Sequence, residues 1–451
     1  MDKISIHTIK QEIVNLSSKK VLRNLFVVSG ATLFVSIIAF VKETFIAANY
    51  GLDQELDTFL IAMLIPGFIN TVFLGSYKSV FIPNYINESH AGGDTKGFQT
   101  TSFIITFLVS IFFIVFAILG TDTFLEFLFP DKSTNYYTLI KEQFYIIAPC
   151  IFLWGFGSLV EAILYVNNEY RFSSFAGVFP PVCIILGFLI FSSNLPQNFL
   201  AYGTLIGAIL SSIYLLGIAL KKKVISFGKI NFKNDNIKLT FSQLPAKISS
   251  GFLASMIPVV DKFFAAQLIV GSIAALNYGV KIPAFLTNIL LIAISNVLLP
   301  YFSKLIISDR EKAFSMLFVN LKRVFIILLI ISMVGIVFSE WVVELLFERK
   351  EFTSKNTETV ALLQQILLVY IPFRITGLIM VNFLISINKN SFMAYVALVA
   401  LILNIIFDYI LMQMYGVFGI AICTTIITVL KSIVFYVYLK KVRTQGIDKQ
   451  K

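Results

Sequence analysis

The chain is short of charge, histidine and cysteine, and each shortage excludes something. Charged residues make up 14% of its 451 positions, against about 25% in an ordinary globular domain, so a water-facing surface cannot cover the whole chain. The two histidines, His7 and His90, fall outside the apolar stretches and form no catalytic set. The three cysteines, Cys150, Cys183 and Cys423, lie inside apolar runs without metal-ligand spacing. They read as small core residues rather than disulfide partners. No outer loop is long enough to hold a catalytic domain, and an enzyme is not expected. The first residues, MDKISIHTIKQEIVNLSSKKVLRN, have no apolar core ahead of a small-residue cleavage site. They read as a cytoplasmic lead-in rather than a signal peptide.

What is present in excess is hydrophobic residue, 57% of the chain, at a mean hydropathy of +0.86. Apolar runs of about 18 residues or more suffice to cross the hydrocarbon core as helices. The fold class is therefore an all-α polytopic membrane protein of about twelve transmembrane helices. Spans are expected at 24–49, 57–86, 98–120, 138–166, 172–193, 199–220, 239–268, 272–301, 314–346, 357–387, 391–414 and 417–439.

The net charge of +11 suggests nucleic acid at first sight, but its placement argues against that partner. Lysine and arginine gather in alternate loops, most densely at 221–238 and in the tail KKVRTQGIDKQK. That alternation encodes topology, with basic loops inside, and places both termini in the cytoplasm. The expected organisation is a lead-in at 1–23, a first lobe at 24–220, a linker at 221–238, a second lobe at 239–440 and a tail at 441–451.

The second lobe repeats the first. FIAAN at 45–49 is answered by FFAAQ at 263–267, and the Ile-Pro at 65–66 by that at 282–283. LEFLFPDKSTNYYTLI (125–140) is echoed by VELLFERKEFTSKNTETV (343–360), and AYGTLIGAI (201–209) by MYGVFGIAI (414–422). A repeat of roughly 215 residues holding six spans gives two six-helix bundles in one orientation, related by a pseudo-twofold axis along the membrane normal. Two such lobes suit rocking about a central cavity.

Charges inside spans cost about 2.5–3.5 kcal/mol each on insertion scales and usually face a wet cavity or a partner. Lys42, Asp261 and Lys281 fall at comparable depths toward the outer ends of their spans. Lys42 and Lys281 suit an anionic headgroup, whereas snorkelling or a Lys42–Glu43 pair is the structural alternative. Lys262 reads the other way, as structural, and Lys78 as a snorkelling anchor. Asp57 opens its span as a plain N-terminal cap or as a ligand. Asn404 and Asp408 stand four residues apart on one helix face. With Asp261 and Thr424 they supply hard oxygen donors suited to an alkali cation or a proton. The alternative is an interhelical polar contact that only packs the lobe.

Taken in order, FVKETFIAANYG, LDTFLIAMLIP, AALNYGVKIPAFLTNILLIAISNVLLP, LLFERKEFTSKNTETV and YGVFGIAI resemble the MviN/MurJ lipid II flippase family of the multidrug/oligosaccharidyl-lipid/polysaccharide (MOP) exporter superfamily. The resemblance covers nearly the whole chain. It implies a flippase that moves an undecaprenyl-diphosphate-linked saccharide, lipid II or a polysaccharide or O-antigen unit, across the bacterial inner membrane by alternating access. The partners implied are that lipid and the bilayer, with a monomer as the working unit. A cation-coupled exporter of drugs or small metabolites is the alternative on the same fold.

Carried over residue by residue, the resemblance assigns substrate binding to Lys42, Glu43, Asp57, Asn70 and Lys281. It assigns a sodium site to Asp261, Asn404, Asp408, Thr424 and the Ile420 carbonyl, with Na+ or H+ as coupling ion and no covalent cofactor. Two departures stand out. Asn70 occupies the place of a family arginine, and the family design has fourteen spans where about twelve can be drawn here. Both leave room for a lipid-linked saccharide other than lipid II.

Overall fold

The computed structural model describes residues 28–129, 132–191 and 195–448. The expected lead-in at 1–23 and the last three residues of the tail lie outside that set. Among the described residues ten helices are long and apolar enough to cross a membrane, and twelve if each of two bent pairs is one span. The chain is thus a multi-pass membrane protein.

The spans are α1 (Val28–Tyr50), α2 (Gln54–His90), α3 (Thr95–Leu128), α4 (Thr134–Val166), α5 (Tyr170–Ile190) and α6 (Phe199–Lys221). The second set is α7 (Asp235–Ala266), α8 (Ser272–Ser308), α9 (Arg310–Val337), α10 (Ser354–Leu368 with Ile371–Ser386), α11 (Asn390–Tyr415) and α12 (Val417–Asp448). Several helices overrun the expected spans. α12 runs on into the tail expected from 441, as far as Asp448.

Prolines set the breaks. A proline clashes with the carbonyl four residues earlier and removes a hydrogen bond. Pro372 opens the second half of α10 at a 41° bend, and Pro258 follows by four residues the 42° bend in α7. Pro149 likewise opens the second half of α4, after Ile147. In α2, Pro66 follows the break at Met63, and a π-helical turn at Asn70–Leu74 comes next.

The repeat is visible in how the halves touch. Phe129 and Phe347, matched in sequence, are both buried. Phe129 packs on Phe263 of the second half at 6.2 Å between ring centroids, and Phe347 on Phe40 of the first at 6.1 Å. Gly51 and Gly271 end the first helix of each half and both hold positive φ, 51° and 92°. A side chain at Gly51 would strike the Glu351 carbonyl, and one at Gly271 the Leu52 carbonyl. Glycine is needed twice over at each, for backbone angle and for close approach.

The halves also meet at the basic end, the end that carries the 221–238 loop. Ser76 of α2 donates to the Lys247 carbonyl at 3.3 Å, and Asn84 to Thr240 and Gln243 at 3.0 and 3.1 Å. Glu88 accepts from Asn234 at 2.8 Å and Asn236 at 2.5 Å.

Two charge clusters between and within the lobes

At the first cluster, α1 and α8 converge on one carboxylate. Glu43 Oε1 lies 2.8 Å from Lys42 Nζ and 3.0 Å from Lys281 Nζ. The Glu43 side chain is 8% exposed, whereas Lys42 and Lys281 keep 23% and 27%. The carboxylate is therefore the most buried member of the triad, and the two lysine side chains keep part of their surface exposed. The Lys42–Glu43 pair, weighed above as the structural alternative, is present, and Lys281 of the opposite lobe joins it through Glu43. Lys262 of α7 stands within electrostatic reach of Lys281 and Glu43. Three ammonium groups against one carboxylate leave a surplus of positive charge, a site for a multiply charged anion. Lys262, set aside in the sequence, carried a signal: it adjoins Asp261 in a helix with few other charges.

Asp57, expected at the headgroup or as the cap of its own helix, does something else. It is 2% exposed. Its Oδ2 accepts from the Gly271 amide at 2.6 Å and its Oδ1 from the Ala274 amide at 2.8 Å. The carboxylate thus caps the start of α8, the helix of the opposite lobe that carries Lys281. The cap of its own helix is Asp53, which accepts from Leu56. Nearby, Lys132 donates to the Leu268 carbonyl at 3.0 Å. Burial pushes its ammonium below the usual lysine range, and the Asp57 carboxylate pulls it back up.

Asn70 is half-buried at the start of the π-helical turn. It belongs to a polar pocket inside the first lobe with Lys78 and Glu161, which form an ion pair at 2.6 Å. Lys78, read as a snorkelling anchor, is held inside the lobe instead, because Glu161 on α4 supplies its counter-charge.

The second cluster lies wholly within the second lobe. Asp261 Oδ1 accepts from Asn404 Nδ2 at 3.1 Å, and its Oδ2 from Thr424 Oγ1 at 2.8 Å. Asn404 and Asp408 have no exposed surface. The Asp408 carboxyl sits against that of Asp261. Cys423, read as core, is part of this cluster, and its thiol meets the Asn404 carbonyl at 3.5 Å. Ile420 is fully buried one turn before Thr424, so its carbonyl is what it has to offer.

Three oxygens here are buried without a hydrogen-bond partner: Asn404 Oδ1 and both Asp408 oxygens. Such a group costs about 1–3 kcal/mol, and two adjacent carboxylates share a site stably with a cation or a proton between them. The donor set therefore fits a small hard cation. Among the described residues no three His, Cys, Asp or Glu side chains are grouped to hold a metal.

The family described as Lipid II flippase MurJ matches residues 46–450. The Probable lipid II flippase MurJ of Vibrio cholerae is 26% identical over 441 residues, with 93% of this chain and 83% of the relative covered. That of Rickettsia prowazekii is 25% identical, with 90% and 81% covered. Among solved structures, a lipid II flippase MurJ in an inward closed conformation superposes with a TM-score of 0.80 at 21% identity, covering 92% of this chain and 87% of that one. An inward-facing multidrug resistance MATE family transporter of the MOP superfamily gives 0.73 at 14% identity, covering 93% and 98%. These superpositions show the two-lobed MOP exporter fold.

Proposed function

The chain belongs to the lipid II flippase MurJ family, and on that premise we propose that it carries an undecaprenyl-diphosphate-linked saccharide, lipid II first among the candidates, across the bacterial inner membrane by alternating access. The observation that carries this reading is the convergence of Lys42 and Lys281, from opposite lobes, on Glu43. A diphosphate entering between the lobes finds two ammonium groups already held together. It takes them without desolvating a new pair, because Glu43 has held them there. Drawing Lys281 toward the anion loosens its bond to Glu43, so binding bears directly on how α1 and α8 sit together. The polyprenyl tail stays in the bilayer, where it costs nothing, while the headgroup avoids a passage through hydrocarbon that costs several kcal/mol per unpaired polar group. Surplus lysine argues against the drug-exporter alternative, whose cationic substrates call for acidic and aromatic walls.

The basic end is the cytoplasmic one by loop charge, with both termini inside. The contacts of α2 with α7 then close the cytoplasmic side, and those around Gly51, Gly271 and Asp57 the outer side. Na+ or H+ at Asp261, Asn404, Asp408, Thr424 and the Ile420 carbonyl would bias one state over the other. It does so only through a difference in affinity between the two.

The test is translocation of a fluorescent lipid-linked saccharide in proteoliposomes. Lys281→Ala is expected to lower the rate by at least about tenfold, since a charged hydrogen bond is worth about 1.5–3 kcal/mol. A rate equal to that of the parent would overturn the assignment.

A further inference from the structure

The segment between the lobes, expected as a plain linker at 221–238, is held to the first lobe as a fixed belt. Its backbone lies along the opening turns of α3. The Ser226 amide donates to Gln99 Oε1, that of Gly228 to Thr100 Oγ1 and that of Asn231 to Thr101 Oγ1, each at 2.9 Å. Gln99 also donates to the Val224 carbonyl at 3.0 Å. Where belt and helix cross, glycine meets glycine. A side chain at Gly97 would strike the Lys229 carbonyl, and one at Gly228 the Gly97 amide nitrogen. With its amides satisfied by the side chains of one helix, the loop has a single path.

What the belt presents does not suit an aqueous loop. Phe227, Ile230 and Phe232, within six residues, are 69%, 54% and 52% exposed. A mobile loop could fold such groups inward, whereas a pinned one holds them out. Lysines interleave with them: 221–238 has six lysines against one carboxylate, Asp235, which pairs with Lys238 at 2.9 Å. Lys222 pairs with Glu169 at 2.6 Å. Lys221, Lys223, Lys229 and Lys233 form no ion pair among the described residues. Depth decides what meets this surface. The belt lies beside Gln99, Thr100 and Thr101, at the inner edge of the span expected from 98. Phe227 packs on Phe103, one turn deeper in α3, at 6.3 Å between ring centroids. Phe107, a further turn along, is exposed. The apolar patch is therefore continuous with the lipid-facing wall of a spanning helix.

We propose that the belt is an interfacial anchor for the anionic surface of the membrane's inner leaflet. Phe227, Ile230 and Phe232 enter the boundary between headgroups and acyl chains, and Lys223, Lys229 and Lys233 meet anionic phospholipid headgroups. Aromatic and basic side chains together favour that layer. A soluble partner would have to reach the same rings at headgroup depth, where lipid already lies. Because the belt is bonded to α3, it fixes the depth of the first lobe in the bilayer. The inference goes beyond the flippase reading and holds whatever the protein carries.

The two native tryptophans, Trp154 and Trp341, are replaced by Phe, and Phe232→Trp then puts a single indole in the belt of the full-length chain. The protein is placed in nanodiscs, which leave both faces open to water, made of phosphatidylcholine alone or mixed with phosphatidylglycerol. With phosphatidylglycerol the indole is expected to emit to the blue of an indole in water, to be quenched by lipids brominated on the acyl chain and to be shielded from acrylamide. Lys229→Gln together with Lys233→Gln is expected to move all three toward the values in water, since each lysine near the surface favours the inserted state about fivefold. Emission as in water with full acrylamide access in both discs would overturn the proposal, and is what a surface kept for a soluble partner would give in purified protein. Equal burial in the two lipids would overturn it as well, since anionic headgroups would then play no part. Should Phe232→Trp fail to fold, Ile230→Trp gives the same reading from the neighbouring exposed position.

Discussion

Glu43 and Asp261 occupy the same place in the repeat, each two residues ahead of the matched FIAAN and FFAAQ segments. Their fates differ because their neighbours differ. Glu43 meets two lysines from opposite lobes, whereas Asp261 meets Asn404 and Thr424 of its own. In the first lobe the place of α11 is taken by α5, whose polar side chains are confined to its first turns. No amide or second carboxylate reaches Glu43 from there, and the carboxylate turns to the interface. The three orphaned oxygens, one of Asn404 and two of Asp408, predict a bound cation. Sodium chloride, compared with choline chloride at equal ionic strength, is expected to raise the thermal unfolding temperature of the parent. The stabilisation is about 2.7 kcal/mol at a hundred times the dissociation constant. Asp408→Asn is expected to abolish that difference, and a sodium response unchanged by the substitution would leave the cluster as packing alone.

At the scale of the element, the two helices that carry the candidate site are positioned by groups that never touch a ligand. Asp57 caps α8 from across the interface, so the register of Lys281 depends on a residue of α2. Pro258 bends α7 just before the turn that bears Asp261 and Lys262. On the proposed alternating-access reading, the contact of α2 with α7 at the basic end is the one that parts for access from that side. Ser76 and Gly251 face each other there so closely that a β-carbon at 251 would lie 3.1 Å from Ser76 Oγ. A Ser76→Cys, Gly251→Cys double variant is expected to form a disulfide on oxidation, since such close β-carbons suit its geometry. Oxidised protein should lose transport and reduced protein regain it, as read in the proteoliposome assay with each single variant as control. Full transport by the cross-linked protein would show that this contact is not a gate.

For the molecule as a whole, the repeat gives two equal lobes that hold each other crosswise, Phe129 on Phe263 and Phe347 on Phe40. Each lobe thus covers part of the other's apolar surface at one end. If lipid II is the substrate, expression of the chain is expected to restore growth to a bacterium depleted of its own lipid II flippase, and Lys281→Ala to remove the rescue. Rescue of an O-antigen flippase deletion alone would move the substrate to another undecaprenyl-linked saccharide.

The membrane class, the span count, the duplication and the hard-oxygen set near Asn404 and Asp408 were legible in the sequence. They depend on local composition, helical period and repeated words, which survive without coordinates. Tertiary structure decided the rest, because pairing across α1, α7 and α8 involves residues more than two hundred positions apart. Lys262 joined a cluster it seemed not to need, and Cys423 left the anonymous core. Asp57 proved to be the cap of a helix in the opposite lobe, and Lys78 found Glu161. A sequence shows that a charge lies in an apolar span; only the fold supplies the partner that makes the charge affordable there.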